Sequence, residues 1–274
     1  MAPPVLCYHR VGGPLELGVT RVSPKTFTRQ MHSLARAGWS TLTLGQFAAA
    51  AGSDSALPTP HSAFLLTYDD GYAELAEHAY PVLREVGFTA TTFLITDFVG
   101  RPNAWDIQYT RRPLTHLDWT SIEEWRARGF EFASHTATHP RLTWAGDARV
   151  ADELGRSRRT LIDRLGPESG TAVAYPFGAV DDRVARAAGA AGYSLGFGGV
   201  RGIPGDALRV PRVPVYMWDF WDVPFGLRAD VLGTAGTFVA HVANRCAVGT
   251  TVMRGVRDQV SGVRVHREML EVET

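Results

Sequence analysis

The chain has 274 residues, 45% hydrophobic and 20% charged, enough to bury a full core in one large domain or two. Its 28 basic residues balance its 28 acidic ones, so no electrostatic footprint for nucleic acid or an anionic membrane surface is present. Two cysteines, Cys7 and Cys246, cannot build a disulfide framework, and neither has metal-ligand spacing.

The opening residues lack a charged start followed by a long apolar stretch, so they do not read as a signal peptide. No apolar run approaches the ~20 residues of a membrane span, and the expectation is a cytoplasmic protein. Val5 to Tyr8 reads as a short strand ending at His9, with Cys7 as a buried, inert thiol. Ser23-Pro24 opens a helix with Phe27, Met31 and Leu34 on one face and Gly38 as its stop. Ser40 to Leu44 reads as a strand, and Gly45 to Ala51 as a short Ala-rich helix. After a Ser-, Pro- and Thr-rich loop (52–62), the apolar run from Ala63 ends in Asp69-Asp70-Gly71. That pattern is a buried strand delivering two carboxylates to its C-terminal end. Adjacent acids there repel unless a cation or proton lies between them; a solvated turn is the alternative.

Tyr72 to Val86 has helical periodicity, and Thr89 to Ile95 reads as the next strand. Residues 97–119, with Trp105 and Tyr109, break the rhythm as a long loop suited to covering a substrate. A helix starts near Thr120, a strand covers Phe130 to Ala133, and Asp147 to Leu165 is a clear amphipathic helix. Thr171 to Ala174 reads as a strand running into Tyr175-Pro176-Phe177-Gly178, then an Ala-rich helix to Ala191. Tyr193 to Phe197 and Val210 to Tyr216 read as two more strands. An aromatic cluster at 216–221 reads as core packing, and a last helix covers about 228–246. Alternating strands and helices argue for a parallel α/β sheet or barrel.

His135 and His139 stand four apart, as on one face of a helical turn. With a carboxylate they would make a two-histidine, one-carboxylate metal site; alone, they read first as a surface or hydrogen-bonded pair. Three strands ending in Asp-Asp, in the histidine pair and in Tyr-Pro-Phe-Gly would open on the same rim of a parallel sheet.

Across roughly residues 3–216 the chain resembles the polysaccharide deacetylases, the carbohydrate esterase group with a chitooligosaccharide-deacetylase homology domain. Thr67 to Gly71 matches that family's first motif, Ser134 to His139 its second and Tyr175 to Gly178 its third. The resemblance implies a distorted (β/α) barrel of about seven strands over residues 1–226, with 227–274 as a C-terminal helix and charged tail. It implies one divalent metal, zinc first with cobalt, nickel or manganese as alternatives, on Asp70, His135 and His139. Asp69 would be the catalytic base, and the backbone N–H of Phe177 would hold the oxyanion beside Tyr175. The acid histidine that the family usually carries near its C-terminus has no good copy here, in His241 or His266. Leu6 to Val11 instead resembles the circularly permuted branch that includes poly-N-acetylglucosamine deacetylases, which makes His9 the acid. Ala174 stands where the third motif's arginine belongs, and Arg212 resembles the branch's replacement for it. Trp105 is the candidate for stacking on a sugar, whereas His32, His61, His78 and His116 read as solvated.

The implied activity is removal of an acetyl or similar acyl group from the nitrogen of an amino sugar. An O-acetyl esterase and an inactive glycan-binding member of the fold are the alternatives, and homo-oligomerisation stays open.

Overall fold

The computed structural model describes residues 2–14, 19–52, 62–105, 114–200, 203, 205–224 and 227. The helix expected at 228–246, the tail beyond it, Tyr109, and Cys246, His61, His241 and His266 lie outside the described residues. Among those described, no helix is long and apolar enough to cross a membrane.

The chain begins with strand β1 (Val5–Tyr8) and a separate small parallel pair, β2 (Arg10–Val11) and β3 (Arg21–Val22). Helix α1 (Pro24–Arg36) follows, its start fixed by Ser23 accepting from the Thr26 N–H and by Pro24 in the first turn. Next come β4 (Ser40–Leu42), α2 (Leu44–Gly52) and β5 (Ala63–Tyr68). All six residues of β5 are buried, as expected of a strand covered on both faces. The helix expected over 72–86 is two, α3 (Glu74–His78) and α4 (Tyr80–Glu85), because Pro81 has no N–H to carry the ladder through.

Beyond β6 (Thr91–Leu94), α5 (Trp119–Arg126) starts one residue before Thr120. Its N-cap is Asp118, which accepts from the Ser121 N–H. Then come β7 (Glu131–Ser134), α6 (Asp147–Leu165), β8 (Ala172–Ala174), α7 (Asp182–Ala191), β9 (Leu195–Phe197) and β10 (Val213–Pro214). The strand expected over Val210 to Tyr216 shrinks to β10, since Pro211 and Pro214 cannot donate to a ladder.

Every pairing in the main sheet is parallel, in the order β10-β1-β5-β6-β7-β8-β9, with β4 also pairing along the start of β5. The segment around β10 joins the two ends of that order. Val210 bridges Phe197 of β9, and Val213 pairs with Leu6 of β1. This closure makes the distorted α/β barrel that the motifs implied, and the C-terminal ends of β1, β5, β7 and β8 share one rim. The core lies inside the barrel, with Phe93 and Phe197 among its side chains, and between the sheet and its helices.

Of the aromatic cluster at 216–221, Tyr216 is buried as expected, but the other rings are not core. Met217, Trp218, Phe220 and Trp221 are exposed, because Gln30 and Arg29 of α1 take the backbone carbonyls of Asp219 and Phe220 and turn the rings outward.

Candidate active site

Asp69 and Asp70 sit where β5 ends. Asp70 is the centre of a three-residue turn, with φ 70°, closed by the Gly71 N–H donating to the Asp69 carbonyl at 2.9 Å. Gly71 (φ 69°) is required there, since a Cβ would lie 2.6 Å from Leu94. Asp69 turns to the barrel seam, where Arg212 donates to both its oxygens at 2.7 Å. Burial alone would raise the Asp69 pKa, but the adjoining guanidinium, together with His135 and His9, outweighs it and holds the carboxyl well below the usual range. Arg212 also donates to the Gly198 carbonyl at 3.0 Å, so its fork is fixed by β9's own exit.

His9, directly after β1, places Nε2 4.0 Å from Asp69 Oδ2. Its Nδ1 is buried without a partner, and burial pushes the ring down to about 4 against the pull of Asp69. Cys7 lies beneath, its thiol donating to Asp69 Oδ2 at 3.5 Å. Burial raises the thiol's pKa, so it stays protonated and only supports the carboxylate.

Asp70 turns the other way. Its Oδ1 lies 3.5 Å from Nε2 of both His135 and His139. The two histidines are not on a helical turn, as their spacing suggested. The loop after β7 is irregular, with Thr136 at φ 67° and His139 at φ 61°. It is pinned by Glu153, outside the motif, and by Thr136 within it. Glu153 of α6 accepts from the N–H groups of Ala137 at 3.0 Å and Thr138 at 2.8 Å, and Thr136 Oγ1 accepts from the His139 N–H. His135 Nδ1 donates to the Ala174 carbonyl at 2.8 Å, which leaves the lone pair of Nε2 facing Asp70. The residue standing in place of the expected arginine thus contributes its backbone.

These donors fit a metal ion. Two ligands bound at about 2.0–2.1 Å on a tetrahedron lie about 3.4 Å apart, close to what the carboxylate and imidazoles present. Asp70, His135 and His139 could together hold one ion, all three being buried.

Phe177, also at positive φ (61°), lies in the tight turn after β8, with its ring 4.8 Å from His139. A Cβ on Gly178 (φ 62°) would lie 2.6 Å from Gly199, so that turn packs on the seam as well. Tyr175 is not brought to the site. Its side chain is buried between β8 and the helices, and its hydroxyl donates to the Leu208 carbonyl. Trp105, 7% exposed, packs its ring 4.0 Å from that of His139 and donates from Nε1 to His116 Nε2.

His116 corrects an expectation: it is buried, not solvated. Its Nδ1 donates to the Asp70 carbonyl at 2.8 Å, so it braces the strained turn from below, and burial holds its pKa down at about 4. The sequence offers a signal for Glu153, a polar residue on α6's buried stripe beside Leu154. For His116 there is only the flanking Leu114 and Leu117.

A family model for polysaccharide deacetylase matches residues 56–196. The chain is 29% identical over 206 residues to a putative polysaccharide deacetylase, YxkH, of Bacillus subtilis, covering 75% of this chain and 66% of that one. It is 25% identical over 140 residues to a poly-β-1,6-N-acetyl-D-glucosamine N-deacetylase of Staphylococcus aureus, 50% of this chain and 48% of the relative. The chain thus spans about half to two thirds of these relatives' length. Among solved structures, the Streptococcus pyogenes deacetylase PplD in complex with acetate superposes with a TM-score of 0.69 at 24% identity, covering 79% of this chain and 93% of that one, a likeness of fold. The chain belongs to the polysaccharide deacetylase family.

Proposed function

We propose that the protein hydrolyses the N-acetyl, or a similar small N-acyl, amide of an amino sugar in an oligosaccharide, glycoside or small metabolite. One observation carries this reading: a buried carboxylate kept ionised by Arg212 stands next in the chain to a carboxylate that two imidazoles face. Family membership supports it, and the S. aureus relative is named for N-deacetylation. Asp70, His135 and His139 would hold one divalent ion, zinc first, with cobalt, nickel or manganese as alternatives. When bound, such an ion polarises the acyl carbonyl and makes a neighbouring water more acidic.

The chain's own groups then move the proton. Asp69 takes it from the attacking water as the water oxygen bonds to the acyl carbon. Arg212 keeps Asp69 ionised and makes it a weak base that gives the proton up readily. His9, neutral at rest, receives the proton across the short gap from Asp69 and passes it to the nitrogen as the C–N bond breaks. A free amine and the carboxylic acid leave. The Phe177 N–H serves the oxyanion while the tetrahedral carbon lasts. Tyr175 shapes the turn from behind, and Trp105 walls the ligand side by packing on His139.

The test is acetate release from N-acetylglucosamine, its short oligomers and its glycosides, with matched O-acetyl sugars and a chelator control. Release from the amides, abolished by chelator and restored by zinc or cobalt, is the expected result. Release from the esters alone would replace this reading with an esterase.

A further inference from the structure

Arg141 follows the histidine loop by two residues and belongs to none of the contacts that build the site. Its Nε and Nη1 are buried and have no hydrogen-bond partner. Two aromatic rings flank the cation: Trp144 at 4.9 Å, itself 61% exposed, and Phe177 at 6.0 Å. Ring faces attract the charge but accept no hydrogen bond along the guanidinium edge. No salt bridge to a carboxylate of the described residues is formed by it, and Asp147, six residues on, pairs with Arg183. Burying guanidinium donors with nothing to receive them is costly, and such a group is commonly completed by its ligand. Those two atoms are buried, while the side chain as a whole stays part-exposed. It is one ring removed from the site, since Phe177 packs on both Arg141 and His139.

We propose that Arg141 is a specificity residue that binds an oxyanion, a carboxylate or phosphate, carried on the N-acylated sugar or its immediate neighbour. A planar guanidinium with Nε and Nη1 unpartnered can donate hydrogen bonds to either group. The substrate is then an acidic amino-sugar conjugate and not a neutral homopolymer. The choice of sugar rests on the N-deacylase reading; the charge rests on Arg141 alone.

Two matched substrate pairs test it: N-acetylglucosamine against its 6-phosphate, and a disaccharide of a uronic acid and N-acetylglucosamine against its methyl ester. The wild type should favour the charged member of at least one pair, and which pair responds separates phosphate from carboxylate. Arg141→Gln should lower kcat/KM on that member by at least about tenfold, mainly through KM, and on the neutral partner far less. Arg141→Lys should recover part of the loss. A readout independent of turnover is the rise in Tm on adding inorganic phosphate or D-glucuronate, present in the wild type and absent in Arg141→Gln. An equal loss on charged and neutral substrates, or no Arg141-dependent rise in Tm with either anion, overturns the inference. An Arg141-dependent rise in Tm without turnover of any N-acetyl sugar supports the anion site and instead removes the proposed reaction.

Discussion

Asp69 and Asp70 are neighbours in sequence, yet opposite means hold them in place. Asp69 belongs to a half held by charge: Arg212 reaches it from the seam of the barrel, with His9 and Cys7 alongside. Asp70 belongs to a half held by backbone shape. Asp70, Thr136, His139 and Phe177 are the positive-φ non-glycine residues of the described chain, and all four lie at this rim. Each such conformation costs about 1–3 kcal/mol and persists only where neighbours over-determine it. His116 and Glu153 supply that over-determination. The charged half should therefore fail when a charge is removed, and the shaped half when a brace is removed.

The sharpest break is Asp69→Asn. Turnover should fall by about 10²–10⁴ while a bound divalent ion is retained, as read by metal content after gel filtration. Loss of the ion together with activity would mean that the halves are not separable. Arg212→Met should come next, destabilising the fold by about 3–5 kcal/mol because a buried carboxylate loses its partner. Combining it with Asp69→Asn should restore much of that stability in denaturant titrations; strictly additive losses would show that the pair is not coupled.

On the shaped half, Glu153→Ala leaves the Ala137 and Thr138 N–H groups unanswered, at about 1–3 kcal/mol. It should weaken metal binding about 10–100-fold in a competition titration, since Glu153 aims the loop that carries both histidines. Glu153→Gln should be milder, because one amide oxygen can still face those two N–H groups. Unchanged affinity in Glu153→Ala would remove Glu153 from this role.

The smallest effect is a pH slope in chelated protein. His9 and His116 are both held near 4 by burial, below the ordinary value of about 6.5, so the unfolded chain binds protons that the folded one refuses. Stability is full above about 6.5 and is lost as pH falls toward 4, by about 1.4 kcal/mol per pH unit for each group. His116→Phe should remove one group's share of that slope. An unaltered slope would place the acid sensitivity elsewhere.

The charged half was more legible in the sequence than the shaped half. An apolar run ending in two carboxylates is a local pattern, and Arg212 stands in a motif-like stretch. His135 and His139 looked helical by spacing because spacing carries no φ. Glu153 was not singled out in the amphipathic helix, although its place three residues after Val150 put it on the buried stripe. His116 depends on a fold-back of the chain that no period reveals. The barrel itself was legible because parallel strands and their helices alternate in sequence. The exposed rings at 218–221 were misread because a run of aromatics looks the same whether it enters a core or leaves one.

The segment that closes the barrel has one more consequence. Between Val210, bridged to β9, and Val213, paired with β1, it carries Arg212, so one short stretch is both the last stave of the sheet and the counter-ion of Asp69. If that stave lifts, Asp69 loses its guanidinium before any helix needs to melt. Activity should accordingly vanish at lower denaturant than the far-ultraviolet helical signal, and coincident transitions would show that the stave never opens alone. Catalysis in this protein would then double as a sensor of whether its barrel is shut.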